Sequence, residues 1–220
     1  ASREYRIRNV LDGIVLPKKN KPEIAVMNKK QQLRLEKYLD ERPSVTSVGI
    51  AISMYMGLRI GEVCALQWKE IDLEKRVLTV SKTIQRVQCR TGSKQTKLII
   101  TEPKSESSKR TIPIPDCLLP LLRRFKDNGE VYVVSGRKKP VEPRTMQYGF
   151  AKILHNADLP SFHYHSLRHL FATRCVELGF DVKTLSEILG HSSVEVTLNR
   201  YIHSDMERKR TCMSLLSKCA

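Results

Sequence analysis

His165, Arg168 and His169 stand at i, i+3 and i+4 in the run His165-Ser-Leu-Arg168-His169, which puts them on one side of a helix. An arginine there can give a phosphate two parallel charge-assisted hydrogen bonds, and a histidine beside it can also move a proton. Taken alone, the triplet suits a solvated polar face equally well. Further on, Leu189-Gly190-His191 ends one helical pattern, and Ser192 with Glu195 makes a capping-box start for the next. Tyr201 then falls about two to three turns from His191, close enough for both to face one site. A tyrosine hydroxyl has an ordinary pKa of about 10, so attack at neutral pH requires a positive field and a proton acceptor. His165 is the leading acceptor.

Upstream lie Gly57-Leu-Arg59-Ile-Gly-Glu62 and Pro103-Lys104-Ser, the latter shortly before Arg110-Thr-Ile-Pro113. In order and separation these segments, with His165 to Thr173, Leu189 to Ser193 and Asn199 to His203, resemble the motifs of tyrosine recombinases, the phage-type integrase family. The resemblance runs from about residue 24 to 217 and is strongest to integrases of conjugative transposons and related bacterial mobile elements. It implies that Tyr201 attacks a DNA phosphate to give a covalent 3′-phosphotyrosyl intermediate, with Arg59, Arg168 and His191 stabilising the charge. It assigns Lys104 as the acid that protonates the departing 5′ oxygen, although Lys94, Lys97 and Lys109 lie near enough in sequence to stand in its place. Glu62 and His169 are expected to orient the arginines and the histidine, and His203 to be a neighbour.

The composition agrees with a polyanionic partner: 39 Lys and Arg against 23 Asp and Glu give a formal net charge of +16. Such an excess gains from counterion release on nucleic acid. No apolar run approaches the length of a membrane span, so a membrane partner is disfavoured. Candidate DNA contacts are Lys82, Arg86, Lys109, Arg110, Arg144 and Arg174. The six cysteines include no C-x-x-C pair, and the histidines lack ligand partners at zinc spacing, so neither a metal nor any other cofactor is expected. No phosphate-cradling G-x-x-x-x-G-K-[ST] loop is present either.

The elements that must position these residues read as mainly α with one small antiparallel β-sheet, an α+β arrangement matching the recombinase catalytic-domain fold. Asn28 and Gln31 open a first helix ending near Asp40, and Ser44 opens a second that stops at Gly57. Residues 60–68 suit a short helix, 76–84 a strand, 98–101 and 110–114 two more, with 103–109 as a polar hairpin loop. Helices follow at 117–127, 144–157, 165–178, 181–189, 193–202 and 206–217, with Leu167, Leu170, Phe171 and Leu178 on the buried side of the third of these. Residues 1–22 read as the linker from a preceding core-binding domain, 23–205 as the catalytic domain, and 206–220 as a tail helix that either docks on a neighbouring protomer or covers this chain's own core. The expected partners are double-stranded DNA, other protomers in a synaptic tetramer and an excisionase, in the bacterial cytoplasm. A type IB topoisomerase-like activity and a catalytically inactive DNA-binding relative are the alternatives.

Overall fold

The computed structural model describes residues 27–88, 96–102, 108–127, 129–201 and, in the tail, 210, 213 and 214. Local capping signals set the first two helices. α1 (Lys29–Glu41) starts with a reciprocal capping box, in which Gln31 N donates to Asn28 Oδ1 and Asn28 N donates to Gln31 Oε1, both at 2.9 Å. α2 (Val45–Met56) is capped by Ser44 and ends at Gly57, whose φ of 69° is the left-handed conformation that a residue with a Cβ adopts only at a cost. Because α2 is apolar nearly all round, it cannot sit at a surface. Val48, Ile50, Ile52 and Met56 are buried, and α2 becomes the axis of the fold.

Around it pack α3 (Ile60–Ala65), α4 (Leu119–Phe125), α5 (Pro143–Asn156) and α6 (Ser166–Glu177). Their buried residues, including Val63, Leu122, Phe150, Leu154, Leu167 and Leu170, join those of α2 in one large core. Tyr164, just before α6, ties it to α2 through hydrogen bonding with Ser53 Oγ (2.9 Å) and donation to Gly49 O (3.1 Å). α7 (Val182–Leu189) and α8 (Val194–Tyr201) pack against α6 beside this mass. There Ala172, Cys175, Val176, Leu185 and Leu189 form a second, much smaller core.

The strands depart from expectation. Instead of one sheet the described residues form two: β1 (Ile71–Asp72), β2 (Val77–Val80) and β5 (Arg110–Pro113) in the order β1-β2-β5, and β3 (Thr83–Gln88) paired with β4 (Thr96–Thr101). The strand expected over 76–84 breaks at Ser81 and Lys82, where Ser81 Oγ donates to Glu70 and the chain passes from one sheet to the other. β2 pairs with β5 (Leu78 with Ile112) and β3 with β4 (Ile84 with Ile100), all antiparallel. β4 and β5 thus belong to different sheets and do not pair as a hairpin, and most of the loop expected over 103–109 lies outside the described residues. Alternation of side chains marks a strand but not its neighbour, and these pairings join residues far apart in sequence.

Three helix expectations also shift. Residues 116–118 form a 3-10 turn before α4, Leu178 lies beyond the end of α6 and is exposed, and most of the tail expected to be helical at 206–217 lies outside the described residues.

Candidate active site

α7 ends on Gly190, whose φ of 63° turns the chain sharply and leaves the last carbonyls of the helix without backbone partners in the next turn. Three arginines from three other elements donate to them. Arg110 Nε reaches Ile188 O (2.6 Å), Arg168 Nη2 reaches Leu189 O (2.7 Å), and Arg59 reaches Leu189 O (3.4 Å) and Gly190 O (3.1 Å). A helix C-terminus carries roughly half a negative charge, so cations are favoured there. Arg168 also donates to Gly57 O at 2.7 Å, tying the end of α2 to the end of α7.

Glu62 balances part of this charge. Its carboxylate, 4% exposed, accepts from Arg59 N and Nη1 and from both terminal nitrogens of Arg110, at 2.9 to 3.2 Å. Burial raises the Glu62 carboxyl, but hydrogen bonds and charge from Arg110, then Arg59, outweigh it and hold the group below the usual carboxylate range. Burial, followed by the charge of Arg59, lowers the Arg168 guanidinium to about 9, still cationic at neutral pH. Three guanidiniums against one carboxylate leave a surplus of two positive charges at this point.

The remaining candidates lie next to the arginines. Arg168 and His169 are buried, at 2% and 4% exposure, rather than displayed on a solvated face, because α7 and α8 close over α6. His165, at the start of α6, is exposed and meets the His169 ring edge-on with centroids 4.7 Å apart. His169 in turn lies 5.4 Å from the ring of Tyr201, which is half-buried on the small core and close enough to influence Arg168 electrostatically. Tyr201 reaches this place from its own chain, through α8. His191 Nδ1 is hydrogen-bonded to Thr197 Oγ1 at 2.8 Å, which fixes the imidazole against α8.

Thus Arg59, Glu62, His165, Arg168, His169, His191 and Tyr201 come together, whereas Lys104, Lys94 and His203 lie outside the described residues. Of the DNA-contact candidates, Arg110 is corrected by its burial: its side chain is 6% exposed and bonded within the protein. The alternation of β5 was a usable signal, since Arg110 shares a strand face with the buried Ile112. Lys109 pairs with Glu102 at 2.6 Å, and Lys82 lies near the same carboxylate. Arg86 holds Glu142 through two nitrogens at 2.5 and 2.7 Å, Arg144 donates to Tyr148 Oη at 3.0 Å, and Arg174 lies 3.8 Å from Glu36. Thr197, buried against His191, was not singled out in the sequence.

Comparison with known proteins matches residues 25–208 to the phage integrase family model. A tyrosine recombinase XerC-like protein of Caldanaerobacter subterraneus subsp. tengcongensis is 33% identical over 180 residues, 73% of this chain and 46% of the relative. The transposase from transposon Tn916 of Enterococcus faecalis is 26% identical over 235 aligned positions, covering 98% of this chain and 55% of the relative. Among solved structures, the Tn1549 transposon integrase in complex with a circular intermediate DNA superposes with a TM-score of 0.73 at 26% identity, covering 92% of this chain and 68% of that one. The chain spans about half the length of the curated relatives it matches.

Proposed function

Since the chain belongs to the phage integrase family, we propose that it cleaves and rejoins DNA through a 3′-phosphotyrosyl intermediate, serving integration and excision of a mobile element. One observation carries this reading: Tyr201 lies on α8 beside an arginine cluster with surplus positive charge, in which Arg110 and Arg168 are buried and Arg59 is partly exposed. The relatives named above, a transposase and a recombinase among them, favour strand exchange over simple relaxation of one duplex.

A phosphodiester is anionic, and attack concentrates further charge on its non-bridging oxygens, so cationic preorganised donors lower the barrier. Arg59, Arg168 and His191 have that role in the proposal. Tyr201 Oη bonds to phosphorus as its proton passes to His165, and the buried His169 ring lies close to both side chains. The bond from phosphorus to the 5′ oxygen breaks, and that oxygen leaves with the electron pair and takes a proton from Lys104. The phosphotyrosyl bond retains the energy of the bond broken, so rejoining to a new 5′ hydroxyl needs neither ATP nor metal. Positioning of Arg59 falls to Glu62. Full recombination further involves duplex DNA at attachment sites, a tetramer of protomers exchanging the 206–220 tail, and an excisionase.

A nicked suicide DNA site traps the adduct, because the released strand cannot religate. Denaturing electrophoresis should show protein linked to DNA in the wild type and none in Tyr201→Phe. Absence of adduct on cognate transposon-end DNA would overturn the proposal, and relaxation without exchange between two marked sites would move it to the topoisomerase class.

A further inference from the structure

Arg110 was expected at the DNA surface, yet its guanidinium is turned into the protein. Nε donates to Ile188 O at 2.6 Å, Nη1 to Ser108 O at 3.1 Å and Glu62 Oε1 at 3.2 Å, and Nη2 to Glu62 Oε2 at 2.9 Å. Four of its five N–H groups are thereby engaged, and the side chain is 6% exposed. A phosphate would have to displace these bonds to reach it.

Two of these partners, Ile188 and Glu62, belong to different parts of the site. Ile188 precedes Leu189 and Gly190, whose carbonyls accept from Arg168 and Arg59, and His191 comes next in the chain. Glu62 is also the carboxylate that accepts Arg59 Nη1 at 2.9 Å. A shift of Arg110 would therefore displace the carbonyl end of α7 and the Glu62 carboxylate at once, and with them His191 and Arg59.

We infer that Arg110 is a positioning residue for phosphoryl transfer, which sets Arg59 and His191 through Glu62 and the end of α7 without touching DNA. The inference deepens the cleavage reading and rests on it. The planar fork is required, because only a guanidinium presents parallel donors to a carboxylate and a further donor along its Nε edge. Lysine conserves the charge and loses that geometry.

The test compares wild type, Arg110→Lys and Arg110→Met on nicked cognate DNA. Single-turnover cleavage at saturating DNA should fall about 100-fold in both variants, the scale of a misplaced catalytic group. DNA affinity and its salt slope should stay at wild-type values. The His191 ring resonances, assigned by loss in His191→Gln, should shift in Arg110→Lys without DNA present. Wild-type cleavage in Arg110→Lys, or weaker binding with the salt slope reduced by about one, would overturn the inference and make Arg110 a structural or phosphate-contacting residue. If Arg110→Met fails to fold, Arg110→Lys decides, and an unfolded Arg110→Lys also overturns it, since its role would then be to hold the fold. Failure of the wild type to form adduct would instead sink the cleavage reading; the positioning claim would then stand or fall with the His191 resonances.

Discussion

Arg59 and Arg168 are flanked by Leu58, Leu167 and Leu170, all part of the large core built on α2, whereas Tyr201 packs with Phe171 on the five buried residues of the small one. The donors that would bind a phosphate thus sit where many side chains fix them, and the proposed nucleophile sits where few do. Preorganised charge is effective because it need not rearrange during reaction, which favours rigid surroundings for the arginines. Regions with few buried apolar contacts open at lower free energy. In the proposed reaction the tyrosine side is therefore the half expected to open at lower cost, and the arginine side is the half that would receive the phosphate.

The largest expected effect lies on the arginine side. Arg168→Ala or Arg59→Ala should slow adduct formation about 100- to 1,000-fold, or about 2.7 to 4 kcal/mol of barrier, in a single-turnover assay. A loss under about tenfold would mean that the cluster serves folding more than charge.

Truncation in each core tests the contrast directly. Leu78→Ala in the large core should cost about 2 to 5 kcal/mol of global stability, read from denaturant midpoints. Leu185→Ala in the small core should first lower hydrogen-exchange protection across α7 and α8 and slow cleavage. Equal loss of protection throughout the chain in both variants would erase the distinction between the halves.

Gly57 lies where the halves meet. A Cβ there would stand 2.5 Å from Phe171 Cδ1 and 2.9 Å from Leu189 Cδ2, at a φ of 69°. Gly57→Ala should therefore destabilise by about 1 kcal/mol or more, measured as a fall in Tm. An unchanged Tm would show that the junction yields easily.

The smallest effect at neutral pH is acid sensitivity. Glu62 has a folded-state pKa below its ordinary value of 4.5, so its contribution is present above that value and is lost as pH falls through the folded pKa. Tm should drop on acidification below pH 4.5, with the same acid limb in Leu185→Ala, because Glu62 belongs to the arginine side. A steeper limb in that variant would couple the two sides.

Much of the helical frame was legible because it depends on residues a few positions apart. The Asn28 and Gln31 box, the Ser44 cap, the Asp181 cap and the stops at Gly57 and Gly190 are local hydrogen bonds and backbone angles. The partition of the strands was not legible, since Val80 could be assigned to Arg110 only once the chain had folded. For the same reason Arg110 was read as a surface cation, although its place two residues from Ile112 on β5 contained the contrary signal.

What the sequence determined alone is the set of chemical groups and the local frames that present them: a tyrosine on a short helix that follows the turn, a histidine after a left-handed glycine, and His165, Arg168 and His169 along one helix and its start. Tertiary structure decided which of the arginines would be buried, that three of them would converge on the carbonyls of Ile188, Leu189 and Gly190, and that Glu62 would stand between two of them. The physical reason is range. Caps and turns are settled by neighbours within one helical turn, while the cost of burying a guanidinium is met only by acceptors that distant segments bring to it.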